Sequence, residues 1–158
     1  MLTPRDLTRP SVLWLTAGGL GFLRPGPGTW GSLGALVFWW FLLSSLTWQI
    51  QLGIVAAYFL LSWRLCNGVV ARLGVKDEPQ IVADEVAGMW LALVWLPQSF
   101  GWALAAFVLF RLADIFKPGP IGLLDRRMHS GLGIMADDIL AGALCAALLA
   151  PMAAYWPM

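Results

Sequence analysis

Residues 30–63 read WGSLGALVFWWFLLSSLTWQIQLGIVAAYFLLSW and contain no charged side chain. A helix crosses the apolar core of a bilayer in about 20 residues, so this run is too long for one crossing and long enough for two short ones. Ser44-Ser45-Leu46-Thr47 near its middle offers turn-forming side chains, and the stretch predicts a helical hairpin in lipid. Outward from it the same pattern recurs. Charged residues fall in three patches, Arg5 to Arg24, Arg64 to Glu85 and Arg111 to Asp138, while 86–110 and 139–158 carry none. Pro97-Gln98-Ser99-Phe100-Gly101 breaks the second run, predicting helices over about 81–96 and 102–116. The last run predicts a fifth helix over about 138–155.

Composition agrees with lipid as the solvent. The chain has 158 residues, 59% hydrophobic and 12% charged, against about 25% charged in soluble domains. The expected fold is all-α: a single domain over residues 1–158, a polytopic membrane bundle of about five short helices. Every Lys and Arg then lies on one side, which the positive-inside rule assigns to the cytoplasm, with the N-terminus inside and the C-terminus outside. Tryptophans such as Trp39, Trp48, Trp95 and Trp102 fall toward helix ends, as interfacial aromatics do. Several spans are nearer 16 to 18 residues than 20, short enough to thin the bilayer locally. The depth of the segment 11–23 is left open. Net charge is +1, and the basic residues form no single stripe, so nucleic acid is a poor partner. Cys66 and Cys145 sit in apolar stretches at no metal-binding spacing and read as small packing residues. The polar start and the glycines at 18, 19 and 21 argue against a cleaved targeting segment.

The chemistry gathers at two helix starts. Asp84-Glu85-Val86-Ala87-Gly88 and Asp138-Ile139-Leu140-Ala141-Gly142 share the pattern D-x-x-A-G, each with a second carboxylate alongside, Glu85 or Asp137. The acid and the glycine are four apart and share a helix face. A small residue one turn below an acid lets two helices approach closely in lipid. If those faces meet, four carboxylates converge, and their repulsion calls for a hard divalent cation such as Mg²⁺. Helix capping alone is the plainer reading, since an acid near a helix N-terminus is favoured by about 0.3 to 1 kcal/mol. Asp114 weighs against it. It lies near the C-terminal end of its helix, where the dipole disfavours an anion, and needs Arg111, Lys117 or a metal as partner. The expected metal set is Asp84, Glu85, Asp114, Asp137 and Asp138, and carboxylates at a membrane boundary point to function.

Cations stand ready for a phosphate. Arg111, Lys117 and Arg126 suit phosphate oxygens, although Arg126 and Arg127 equally suit anionic lipid headgroups. His129 is either a solvated surface side chain or the general acid for a leaving alkoxide. The loop 24–32, with Thr29 and Ser32, leads into the first long helix and offers hydroxyls and free backbone N–H groups to phosphate. Gly131-Leu132-Gly133 is a second such bend, or only a tight turn.

With these stretches in view, the chain resembles the phosphatidylglycerophosphatase A family. The matching residues are Pro27-Gly28-Thr29 with Gly31-Ser32-Leu33, Asp84-Glu85 with Gly88-Met89-Trp90, Phe110-Arg111 with Asp114 and Lys117-Pro118, and the run from Leu124-Asp125-Arg126 through Gly133-Ile134-Met135 to Asp137-Asp138 with Ala141-Gly142. The resemblance implies an Mg²⁺-dependent phosphatase of the bacterial inner membrane. Its substrate would be phosphatidylglycerophosphate and its product phosphatidylglycerol, made at the cytoplasmic leaflet. It also implies that Asp84, Glu85, Asp114, Asp137 and Asp138 form the metal and catalytic set, with Lys117 and Arg126 on phosphate.

Three rivals differ in what they require. A membrane lipid phosphotransferase would carry a long D-G-x-x-A-R signature, which is absent. A cation-coupled transporter would place acids in mid-span, whereas these gather at one face. An assembly subunit without turnover gives no reason for so many like charges together.

Overall fold

The computed structural model of the chain describes residues 2–74, 78–117 and 131–156, and these are helical with no strand among them. Six helices follow one another: α1 (Pro10–Leu15), α2 (Pro27–Phe38), α3 (Trp48–Leu73), α4 (Ala83–Leu93), α5 (Phe100–Phe116) and α6 (Gly131–Tyr155). The two helices read from residues 30–63 are α2 and α3, joined at the expected turn, but each packs on α4 rather than on the other, so they form no closed hairpin. The first continues beyond Phe38 as a wider π-turn, Trp39–Leu43, closed by the Ser44 N–H donating to Trp39 O at 2.8 Å. Gln51 then fastens the bend. Its side-chain oxygen accepts from Trp39 Nε1 at 2.8 Å, and its amide nitrogen donates to Leu46 O at 2.9 Å. A glutamine in an apolar run is tolerated because both ends of its amide are satisfied.

Three helix boundaries, two starts and one end, differ most from the sequence reading. α2 begins at Pro27, because proline at the first helical position gives up an N–H that would have had no partner and brings a fixed φ suited to the helix. α3 continues through Arg64 and Arg72 to Leu73 and ends on Gly74 in the left-handed conformation. α6 begins at Gly131, so Gly131-Leu132-Gly133 is its first turn and no bend. Glycine costs a helix roughly 1 kcal/mol relative to alanine, a local penalty that outweighs neither the long apolar run behind it nor its packing. The segment left open, 11–23, is the short helix α1 followed by a tight turn and one turn of 3₁₀ helix.

α3 and α6 are long and apolar enough to cross a membrane, over Trp48–Arg72 and Met135–Tyr155. Around the molecule, Phe41, Phe100, Ile115, Phe116, Tyr155 and Trp156 leave most of their surface uncovered, a distribution that water-soluble monomers avoid.

α4 and α6 make the closest crossing. A Cβ placed on Gly142 would run into the backbone of Gly88, and one on Gly88 would meet Asp138 O and, at 2.7 Å, Phe110 Cε2. The two D-x-x-A-G faces therefore meet, as small residues in facing helices allow, with α5 laying Phe110 into the same crossing. At the other side, the chain start props α4. Val82 N–H donates to Leu15 O at 2.9 Å, the buried Glu78 accepts from Leu2 N–H at 2.7 Å, and Gly21 lies against the Gln80 backbone. These ties fix where α4 begins, and so where Asp84 and Glu85 point.

Candidate active site

Asp84 and Glu85 occupy the first turn of α4, while Asp137 and Asp138 lie in the second turn of α6. The glycine crossing one turn further on brings them together. One oxygen each from Asp84, Glu85 and Asp138 lie within 4.8 Å of one another. Asp84 lies beside both Glu85 and Asp137, and Asp138 is within hydrogen-bonding reach of Asp114 on α5. Ionised carboxylates only accept hydrogen bonds, so oxygens facing one another this way require a proton or a cation between them. Asp84 is 9% exposed, Asp137 5% and Asp138 3%, too little for water to screen them. Asp84 Oδ1 and Glu85 Oε2 are buried without a hydrogen-bond partner. Since Asp138 lies well inside α6, capping cannot account for it.

Cations border the acids on one side. Arg111 Nη1 pairs with Asp114 Oδ2 at 2.7 Å, the i,i+3 partnership expected on α5. The same Nη1 donates to Ser32 Oγ at 3.4 Å, and Arg111 Nε is buried with no partner. Lys117 ends α5 in the left-handed conformation, with φ at 42°, and its Nζ meets Asp137 Oδ2 at 2.7 Å. The site thus alternates in charge, with three acids at the centre and Arg111–Asp114 and Lys117–Asp137 pairs beside them.

α2 forms a further wall. A Cβ on Gly28 would collide with the Glu85 carboxylate and lie 3.1 Å from Arg111 Nη1. Glu85 therefore rests against the first turn of α2, where the helix dipole favours an anion. Ser32 is fully buried, and its hydroxyl donates to Gly28 O at 2.8 Å while accepting from Arg111. Its place is under the guanidinium. Thr29 is exposed on that first turn, with its hydroxyl toward Gly26. The Thr29 and Trp30 N–H groups are spent on Gly26 O, which leaves fewer free donors at this helix start than the loop suggested.

Of the residues singled out in the sequence, Asp84, Glu85, Asp114, Asp137, Asp138, Arg111, Lys117 and Ser32 come together. Arg126 and His129 lie outside the described residues. Two participants escaped the sequence reading. Gly28 was read as part of a loop and of the stretch Pro27-Gly28-Thr29, with no role of its own, and Tyr58 of α3 lies in the vicinity of Asp84 and Glu85. The available signal for Tyr58 was its rarity, as one of two tyrosines in the chain.

Known proteins with this sequence pattern are phosphatases by name. The family model described as phosphatidylglycerophosphatase A matches residues 13–153. The phosphatidylglycerophosphatase A of Escherichia coli (strain K12) is 39% identical over 153 residues, which cover 96% of this chain and 88% of the relative. That of Haemophilus influenzae (strain ATCC 51907 / DSM 11121 / KW20 / Rd) is 42% identical over 152 residues, covering 96% and 93%. No solved structure matches the chain. With a family match across nearly the whole length and two such relatives, the chain belongs to the phosphatidylglycerophosphatase A family of phosphatases.

Proposed function

We propose that this protein is an Mg²⁺-dependent lipid phosphatase of the bacterial inner membrane, hydrolysing phosphatidylglycerophosphate to phosphatidylglycerol and inorganic phosphate at the cytoplasmic leaflet. The observation that carries the reading is the meeting of Asp84, Glu85 and Asp138 from two helices, with buried carboxylate oxygens lacking any partner. A hard cation fits there. Mg²⁺ takes oxygen ligands at about 2.0–2.1 Å in octahedral array, and donor oxygens all within 4.8 Å of one another would enter that shell by small side-chain movements. Asp84, Glu85 and Asp138 would hold the ion, with Asp114 and Asp137 at its edge. Bound there, it would neutralise phosphate charge and make water a better nucleophile.

The chain's own groups supply the rest. Arg111, flanked by Ser32 and Asp114 and with its Nε buried and unpartnered within the fold, lends guanidinium charge to the phosphate oxygens. Lys117 adds positive charge at the same rim while steadying Asp137, so charge building on the phosphate in the transition state meets fixed donors. A carboxylate of the cluster takes the proton of the attacking water. The water oxygen bonds to phosphorus as the phosphorus–oxygen bond to glycerol breaks, and the carboxylate returns its proton to the leaving oxygen, which departs as the alcohol of the lipid product. A five-span arrangement with all Lys and Arg on the cytoplasmic side would place this site at that surface.

Phosphate release from liposomes holding phosphatidylglycerophosphate tests the proposal directly. Activity should vanish with EDTA and return on adding excess Mg²⁺; release that persists in the chelator would refute the cation's role. A second expectation concerns the α2 wall. Gly28→Ala should displace Glu85, raising the Mg²⁺ concentration for half-maximal activity by about 10- to 100-fold. A titration of activity against Mg²⁺ that matches the unaltered enzyme would remove Gly28 from the site.

A further inference from the structure

An apolar groove of about 600 Å³ opens between α1, α2, α3 and α4, walled by Leu13, Trp14, Phe38, Tyr58, Val86 and Trp90. That volume lies in the range of small-ligand sites, about 300–1,000 Å³. Three polar atoms in or near its wall are tied off. Trp90 Nε1 donates to Ala35 O at 2.9 Å, Trp14 Nε1 donates to Ser62 Oγ at 2.9 Å, and the Tyr58 hydroxyl also bonds Ser62. What remains facing the groove is hydrocarbon and aromatic ring, with Gly18 in the lining where nothing stands within 4 Å of a Cβ, and Gly34 packed under Leu20. Such a surface gains by covering with apolar matter and offers little to a headgroup.

The groove lies alongside the helices that carry the acids. Val86 and Trp90 in its wall follow Glu85 along α4. α2 touches Glu85 at Gly28 and lines the groove at Gly34, Ala35 and Phe38. At 1.5 Å per residue, the ten steps from Gly28 to Phe38 extend the path about 15 Å from the acids. α4 follows the same course from Asp84 to Trp90. In phosphatidylglycerophosphate a glycerol, a phosphodiester and a second glycerol separate the terminal phosphate from the acyl chains, so with that phosphate at the acids the hydrocarbon would begin further along the groove, toward Ala35, Phe38 and Trp90.

We propose that this groove is the acyl-chain subsite of the enzyme, seating one fatty acyl chain of the lipid substrate while the phosphate monoester engages the carboxylate cluster. The inference rests on the lipid-phosphatase reading and adds where the lipid lies. Leu13 and Phe38, both more than 40% exposed at the mouth, are the positions to alter.

The test compares dipalmitoyl phosphatidylglycerophosphate with its deacylated, water-soluble counterpart, in detergent with Mg²⁺. Leu13→Trp narrows the groove and Phe38→Ala widens it. Each should lower kcat/KM for the diacyl substrate relative to the deacylated one, with Leu13→Trp changing that ratio by about tenfold. Parallel loss on both substrates, or an unmoved ratio in both variants, overturns the subsite. A second measurement needs no turnover. Photolysis of the unaltered protein with a phosphatidic acid carrying a diazirine in one acyl chain should label groove residues, and excess diacyl substrate should suppress the labelling where its deacylated form does not. Labelling spread equally over outer faces such as Phe41 and Phe100 overturns the proposal. If neither substrate yields phosphate, the phosphatase reading falls and labelling alone decides the groove.

Discussion

Asp84→Asn and Asp138→Asn are each expected to lower Mg²⁺-dependent phosphate release by on the order of 10³-fold, the loss of about 4 kcal/mol of transition-state stabilisation. The substitution keeps size and shape while removing the charge a cation would bind. It also tests the electrostatics independently of turnover. In the unaltered protein the facing oxygens of Asp84, Glu85 and Asp138 repel one another unless a counter-charge intervenes. Each asparagine relieves part of that repulsion. With EDTA the variants should therefore unfold at a higher temperature than the unaltered protein, and with saturating Mg²⁺ the order should narrow or reverse, because only the full acid set gains from the ion. Thermal unfolding in detergent, with and without the ion, measures both. Near-normal activity in either variant removes that acid from catalysis, and a melting temperature indifferent to Mg²⁺ in the unaltered protein sinks the cation site itself.

Gly142→Leu is expected to abolish activity by forcing α4 and α6 apart. A side chain there collides with the Gly88 backbone, which cannot swing aside as a flexible side chain can. Overpacking a close crossing costs typically 1–3 kcal/mol, and contact with backbone belongs at or above the top of that range. The cost falls on the site, since Asp84 and Asp138 each lie one turn from the crossing. Folded yield by size-exclusion chromatography and phosphate release should both drop sharply. Gly53→Leu is the control, because a Cβ there meets nothing within 4 Å, and it should leave both intact. Similar behaviour of the two variants would show that the glycine crossing does not position the acids.

The helices on either side of Ser44–Thr47 were legible in the sequence, because charge-free runs and breaking residues are local signals. The turn at Ser44–Thr47 and the break at Pro97–Gly101 fall where α2, α3 and α5 begin or end. The start of α6 was not. Gly131 and Gly133 read locally as a bend, and only the helix as a whole, packed on α4, overrides their weak helix preference. The acids were legible because two D-x-x-A-G patterns put a carboxylate above a small residue on one face, and that face then meets its counterpart.

The rest depended on contacts between distant parts of the chain. Ser32 looked like a phosphate contact and lies instead beneath Arg111, a residue far along the sequence. Gly28 gave no hint that Glu85 would rest against it, nor Tyr58 that it would wall an apolar groove. Hydropathy and turn chemistry belong to neighbouring residues, so the order of helices and the two D-x-x-A-G patterns were carried in the chain itself. Which oxygens face one another, and what lines the way to them, were decided by packing, because those distances arise only where helices remote in sequence press together.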